Sequence, residues 1–215
     1  MRAENELVVI RGHRELYERT WHLFTSAKLE VACAANDLIT WVADRNPPPC
    51  PDKTLPGFAI RKLYRPGILL DPAATQHVRQ MAQLGAQIKI TTDEINETIL
   101  IDRRVAILAG DTAHGPRSFS VVWAADVVQA VGSLFDAAWR AATDLEVYDR
   151  QLVELRQLAP RILRLLGSGC KDETAARTLA LSVRTYRRRV AELMSALGAS
   201  SRFQAGVRAR ELGLV

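Results

Sequence analysis

The segment "LSVRTYRRRVAELMSAL", Leu181 to Leu197, places four arginines in six positions among evenly spaced apolar residues. A guanidinium is a permanently charged planar fork that fits phosphate oxygens and the paired acceptors of guanine. If a helix opens after Ser182, then Val183, Tyr186, Val190, Leu193, Met194 and Leu197 fall on one stripe, the pattern of a core face. Arg184, Arg187, Arg188, Ala191 and Ser195 share the opposite face, with Arg189 on the flank. Within the segment only Glu192 opposes these charges, so the cationic face implies an anionic partner outside the helix.

The flanking sequence supplies elements to hold that helix. "KDETAARTLA" predicts a short helix whose Ala175 and Ala176 present a small face, and "LALS" leaves three or four residues before the arginine helix. Two helices so joined form a helix-turn-helix, and the Ser182 hydroxyl can accept a bond from a first-turn N–H. "APRILRLLGSG" predicts a preceding helix closed near Gly169, and "SSRFQAGVRARELG" a final one. The chain is therefore expected to be wholly helical beyond about residue 150.

Charge divides the sequence at the same place. Residues 150–215 hold 13 Lys+Arg against 5 Asp+Glu, a balance of +8, whereas residues 1–149 hold 16 against 19, a balance of −3. A basic tail on a mildly acidic body points to a polyanion as the tail's partner. No run approaches the roughly 18 apolar residues of a spanning helix, and "MRAENELVVIRGHREL" carries charges where a signal peptide needs an apolar stretch. A soluble, cytoplasmic protein without a membrane partner is expected. Cys33, Cys50 and Cys170 are widely separated, with no CxxC pair, so neither a disulfide framework nor a zinc site is indicated. For Cys50, in a proline-rich loop over 44–57, a redox role and a casual loop cysteine both stay open.

Upstream of the tail, helices are predicted at "HRELYERTWHLFTSAK", at "DPAATQHVRQMAQLG" with Asp71 as N-cap, and at "DVVQAVGSLFDAAWRAATDL". Strands are predicted at "LEVACAA", "FAIRKLYR", "AQIKIT", on both sides of a turn at Asp102-Arg103 in "TILIDRRVAILAG", and at "RSFSVVWA". This alternation predicts an α/β domain around a mostly buried sheet.

The run from Leu163 to Gly213 resembles the LuxR-type helix-turn-helix, the four-helix DNA-binding module of many bacterial regulators. "LRLLGSG", then Ser182 with Thr185 three positions on, and "LGASSR" carry the likeness, which covers about a quarter of the chain. It departs from the family's pattern where Pro160 falls late in the first helix, where Tyr186 replaces a usual valine, and where Arg189 replaces a usual histidine. The resemblance implies that Arg187 and Arg188 face the bases and that Arg184, Thr185 and Arg189 lie near the phosphates. Ser182, Lys171 and Arg202, at or near helix starts, complete the expected DNA-binding set. It also implies a two-fold contact through "RFQAGVRAREL", where Ala205, Gly206 and Ala209 allow close approach, although core packing accounts equally for Phe203, Val207 and Leu212.

A phospho-accepting receiver is not expected in front of this tail, because "LEVACAAND" offers one aspartate, Asp37, in place of the acidic constellation. The body instead resembles a phospholipase D-like half domain, on the residues "FAIRKLYRPGILLDPAATQHVRQMAQLGAQIKITTDEINETILIDRRVAILAG". Active enzymes of that family carry HxKxxxxD, a histidine nucleophile and a phosphate-binding lysine. With Asp102 as the aspartate, Ile95 stands in the histidine's place and Glu97 in the lysine's. Isoleucine cannot attack phosphorus and glutamate repels phosphate, so no catalytic residue, cofactor or metal is expected. The histidines His13, His22, His77 and His114 have no H-x-K spacing either.

The expected architecture is an α/β phospholipase D-like domain over 1–149, a mixed sheet flanked by helices, followed by an all-α four-helix LuxR-type domain over 150–215. Tyr64, Arg65, Glu97, Asp102 and Trp123 are candidates to line a ligand cleft in the body. The implied function is that of a homodimeric bacterial transcription regulator on a pseudo-palindromic site in double-stranded DNA, its body sensing a small molecule or protein effector. A phosphodiesterase with rearranged residues and a protein-interaction module with weak non-specific DNA binding are the alternatives.

Overall fold

In the computed structural model of the chain the described residues are 6–36, 38, 57–110 and 116–215; Asp37, Cys50, His114 and most of the proline-rich loop lie outside them. The elements in order are β1 (Leu7–Arg11), α1 (His13–Thr25), β2 (Glu30–Ala35), β3 (Ala59–Tyr64), a 3-10 helix (Pro66–Leu70), α2 (Pro72–Gln83) and β4 (Gln87–Ile90). They continue with β5 (Thr98–Ile101), β6 (Val105–Ala109), β7 (Ser118–Val122), α3 (Ala125–Ala141), β8 (Thr143–Asp144), α4 (Leu145–Gly167), α5 (Asp172–Thr178), α6 (Val183–Ala196) and α7 (Arg202–Glu211).

Eight strands form one mixed sheet in the order β1-β7-β6-β5-β2-β3-β4-β8. β2, β3 and β4 run parallel, and every other pairing is antiparallel. Successive strand residues face opposite sides, so β2 sends Val31, Cys33 and Ala35 into one core and Ala32 and Ala34 into the other. The first core lies under α1, α2 and α4 and runs on into the tail through Leu155, Ile162, Tyr186 and Leu193. The second lies under α3, where Ala32, Ala34 and Ala106 let the helix seat Val128 and Phe135 close to the sheet.

The two edge strands were not legible in the sequence. β1 has one fully buried residue, Ile10, and β8 is two residues long, so neither has a periodic signature. The helix predicted through Leu145 stops at Ala141, because Ala142 turns extended (ψ 153°) and feeds β8. The first tail helix, placed near Ala159, begins instead at Leu145 and runs 23 residues, about 35 Å. Leu145, Asp149, Leu152, Leu155, Ala159, Ile162 and Leu163 keep one buried stripe through it. Pro160 removes one helical hydrogen bond, a loss of about 3 kcal/mol in an ordinary helix interior, but sits on the exposed side while the stripe continues in register. The charge break at residue 150 thus falls inside a helix that packs on β4, the 3-10 helix, α6 and α7.

Candidate functional site

α5 and α6 are joined by Leu179 to Ser182, with Ala180 at φ 57° making the turn. Ala175 and Ala176 are fully buried and give the close crossing that their size allows. Ser182 caps α6: its hydroxyl accepts from the Thr185 N–H at 3.1 Å and lies 2.8 Å from the Thr185 hydroxyl. Tyr186, Val190, Leu193 and Leu197 are buried, while Arg184, Arg187, Arg188, Ala191 and Ser195 are exposed. The helix therefore stands with its cationic face outward.

That face is less bare than its sequence implies. Asp172, in the first turn of α5, takes Arg187 Nε at 2.8 Å and Arg202 Nη1 at 2.8 Å, and Glu173 lies 3.8 Å from Arg187 Nη2. Hydrogen bonds from Arg202 and Arg187 hold the Asp172 carboxyl below its usual range. Arg188 lies 3.7 Å from Glu192. Arg189 is tied to Glu192 at 2.8 Å and to Glu154 of α4, with its side chain largely buried, so it fastens α6 to α4 rather than facing outward. The acids were invisible to a reading of one helix because packing delivers them from its neighbours. Even so, Arg187 and Arg188 keep 60% and 63% of their side chains exposed, and Arg184 makes no ion pair among the described residues. Asp172 takes Nε and Glu173 stands only at ion-pair distance from Nη2, so the terminal nitrogens of Arg187 retain donors for an outside partner. Lys171 is the N-cap residue of α5 and is exposed.

On α7 the three small residues do not share one outward face. Ala205 and Ala209 are fully buried against the chain's own core, whereas Phe203 is 83% exposed and Gly206 and Val207 are exposed beside it. With Leu163, Leu166 and Val215 they line an open groove of about 740 Å³.

The five cleft candidates do not form one site. β5 runs between Glu97 and Asp102, which places them about 16 Å apart at opposite ends of the sheet. Tyr64, Arg65 and Glu97 share one end, and Asp102 and Trp123 the other. Tyr64 is 3% exposed and belongs to the core. Glu97 accepts from the Asn36 N–H at 3.1 Å and pairs with Arg117, so its charge is internally matched. Asp102 and Arg103 hold a tight turn with φ of 50° and 55°, and the Asp102 carboxylate accepts from the N–H groups of Lys28, Leu29 and Glu30 at 2.7–3.1 Å. Burial pushes its pKa up, but these bonds outweigh burial and leave it below the usual value. Asp102 is therefore a turn residue that clasps β2. Trp123 follows directly on β7 at the sheet's end and is 40% exposed.

A different cavity does exist, of about 350 Å³, between α3 and the segment before β5. Its walls are apolar, with Leu63, Leu108, Val131, Leu134 and Phe135, and Glu94, Asn96 and Thr98 give one polar edge. Ile95 also lines it. The signal overlooked was a second apolar stripe on α3: Val127, Val131, Leu134 and Ala138 recur at helical spacing beside the stripe of Val128 and Phe135, widening the apolar face, and Leu134 is 72% exposed. Cys33 is buried with its pKa pushed up to about 11 by desolvation, the condition of an inert thiol.

The chain is 31% identical over 170 residues to the bialaphos biosynthetic pathway regulatory protein of Streptomyces hygroscopicus, a match covering 75% of this chain and 63% of that protein. It thus spans less than two thirds of that relative's length. Among solved structures it aligns with the archaeal chromatin protein TrmBL2 at a TM-score of 0.49 and 14% identity, over 65% of this chain and 54% of that one. It also aligns with the phospholipase D family member Nuc from Salmonella typhimurium at 0.49 and 13%, over 64% and 97%, and with NucT from Helicobacter pylori at 0.43 and 10%, over 65% and 98%. No protein-family model matches the chain. No helix among the described residues is long and apolar enough to cross a membrane.

Taken chemically, the outward side of α6 can donate many charge-assisted hydrogen bonds from a rigid, N-capped helix, and nothing within its own face accepts them all. An electrostatic surface of this kind suits a phosphate backbone, and free guanidinium forks suit the acceptors of a major groove.

Proposed function

We propose that the chain is a sequence-specific, DNA-binding transcriptional regulator of the LuxR type, acting as a cytoplasmic homodimer on a pseudo-palindromic operator. In this reading the helical tail from about residue 150 reads DNA, and the body over 1–149 is a non-catalytic phospholipase D-like sensor needing no cofactor. The observation that carries it is the capped α6 with Arg184, Arg187 and Arg188 exposed along one face. The likeness to a pathway regulatory protein supports a regulatory role. Arg187 and Arg188 read bases, while Arg184, Thr185, Lys171 and Arg202 position the helix on phosphates, with Ser182 and Arg189 holding its geometry. The exposed groove around Phe203 and Val207 is the surface for a second copy. The cavity beside Ile95 is the effector site, its size within the range of ligand pockets.

Selection of bound duplexes from a random library at about 0.15 M salt tests this reading, with the Arg187→Ala/Arg188→Ala double variant in parallel. A two-fold site should be enriched by the parent and lost in the variant. Equal enrichment by both would remove the base-reading role. Binding without sequence preference and with a steep salt slope would favour the interaction-module alternative. Turnover of a generic phosphodiester above a buffer blank would require a catalytic body.

A further inference from the structure

A second pair of arginines sits where the tail meets the sheet, away from α6's outer face. Arg65 follows β3 directly and is only 8% exposed. Its Nη1 donates to the Asp93 carbonyl, and its guanidinium lies across Gly198, the turn between α6 and α7. Gly198 has φ +64°, which favours glycine, and Arg65 Nη2 fills the space a Cβ would take there. From α7 the half-buried Arg208 reaches the same place, its Nη1 within 3.8 Å of that Cβ position. Between the two arginines is a cavity of about 60 Å³, lined also by Asn36, Gly67, Glu211 and Leu212.

What sets this pair apart is the lack of an anion. Arg61, Arg117 and Arg156 each hold a carboxylate, but neither Arg65 nor Arg208 makes an ion pair among the described residues. Asp93 and Glu94 act on Arg65 only from beyond pairing distance. Glu211, the one acid lining the cavity, is an exposed residue and pairs with neither arginine. Two like charges in a poorly solvated seam repel more strongly than in water. Burial first, and Arg208 second, hold the Arg65 pKa below its ordinary value. The cavity exceeds the roughly 10–15 Å³ that one water requires but has no room for a bulky ligand.

We infer that this seam binds a small tetrahedral oxyanion, inorganic phosphate or the terminal phosphate of a small monoester, between Arg65 of the sheet and Arg208 of α7. A guanidinium fork matches the O–P–O edge, so one ion can satisfy both side chains and cancel their repulsion. Because Arg65 belongs to the body and Arg208 to the tail, the bound ion fastens one to the other.

Thermal unfolding of the full chain in chloride buffers of matched ionic strength, with and without inorganic phosphate, tests the site. At ten times its dissociation constant phosphate should raise the midpoint by about 3–5 °C. Arg208→Gln, which keeps most of the stem, should fold and lose that rise, and Arg65→Gln should lose it likewise. Arg187→Ala/Arg188→Ala should keep it, which separates this site from phosphate bound at the DNA face. Glycerol 3-phosphate in a parallel arm identifies the source: a matching rise assigns a monoester end, and a rise with phosphate alone assigns the free ion. An unchanged midpoint in the parent chain, or a rise that survives Arg208→Gln and disappears in the α6 double variant, would overturn the proposal.

Discussion

The arginines of α6 and those of the sheet's surroundings are the same residue in opposite employment. On α6, Arg187 and Arg188 are more than half exposed, and their acid partners engage one edge of each guanidinium. Around the sheet, Arg61 is held by Glu30 and by Asp136 at 2.8 Å beneath Phe135 and Trp139, and Arg156 joins Asp149 to the Leu69 carbonyl. In the first setting the charge faces solvent; in the second it organises the chain. The difference lies in burial and in how many donors the protein itself consumes, neither of which residue type reveals.

Removing Asp149 should separate the two classes most sharply. Its carboxylate receives Arg156 and, at 3.0 Å, Arg79 Nε, so it ties α2, α4 and the 3-10 helix together where body passes into tail. Asp149→Asn leaves the largely buried Arg156 without its counter-charge, and a loss of about 3 kcal/mol is expected in urea unfolding. Arg187→Ala should change stability by less than about 1 kcal/mol, because the side chain is 60% exposed and Asp172 keeps its pair with Arg202. Comparable losses from both would dissolve the distinction.

In DNA binding the ranking should invert. Arg187→Ala or Arg188→Ala should relax preference at one base position by about 1–3 kcal/mol, whereas Lys171→Ala should weaken all sequences alike and lower the salt slope by about one. Competition titrations against single-base operator variants read the first, and affinity against salt concentration the second. Asp172→Asn sharpens the point. It removes a negative charge from the cationic face and frees Arg187 from its brace, so affinity for random DNA should rise while the ratio of specific to random binding falls.

The same division explains what the sequence made legible. The buried stripe of α6, its Ser182 cap and its exposed arginines follow from spacing along one helix, which is local information. The cleft candidates failed because their grouping depended on strand direction. Glu97 and Asp102 flank the extended β5, and only the parallel course of β3 and the antiparallel course of β5 against β2 show that Tyr64 and Arg65 share the end of Glu97 and not that of Asp102. On α7 spacing left the choice open for another reason: alanine has the size for either a close contact between copies or a close contact within one chain, and tertiary packing buries Ala205 and Ala209 within this one. β8 and β1 are edge strands whose pairing comes from their neighbours more than from their own pattern.

The smallest effect expected is the response of the two classes to acid. Both Asp149 and Asp172 have pKa values below the ordinary 3.8, for different reasons. For Asp149 burial raises the value, but hydrogen bonds from Arg156 and Arg79 outweigh it; for Asp172 the bonds from Arg202 and Arg187 dominate from the start. A folded-state pKa below the unfolded one gives stability that is fully present above about 3.8 and is lost as pH falls through the folded value. Neither pair should therefore make unfolding depend on pH between pH 5 and pH 8, and both should weaken only below pH 4. In Asp149→Asn the acid-induced loss should be visibly smaller than in the parent chain, since the titrating group is gone. In Asp172→Asn the change should be slight, because solvent screens the exposed arginines that Asp172 serves. Urea midpoints of the three proteins at pH 3 and pH 6 give the comparison, and an equal flattening in both variants would mean that exposure does not separate the two kinds of arginine site.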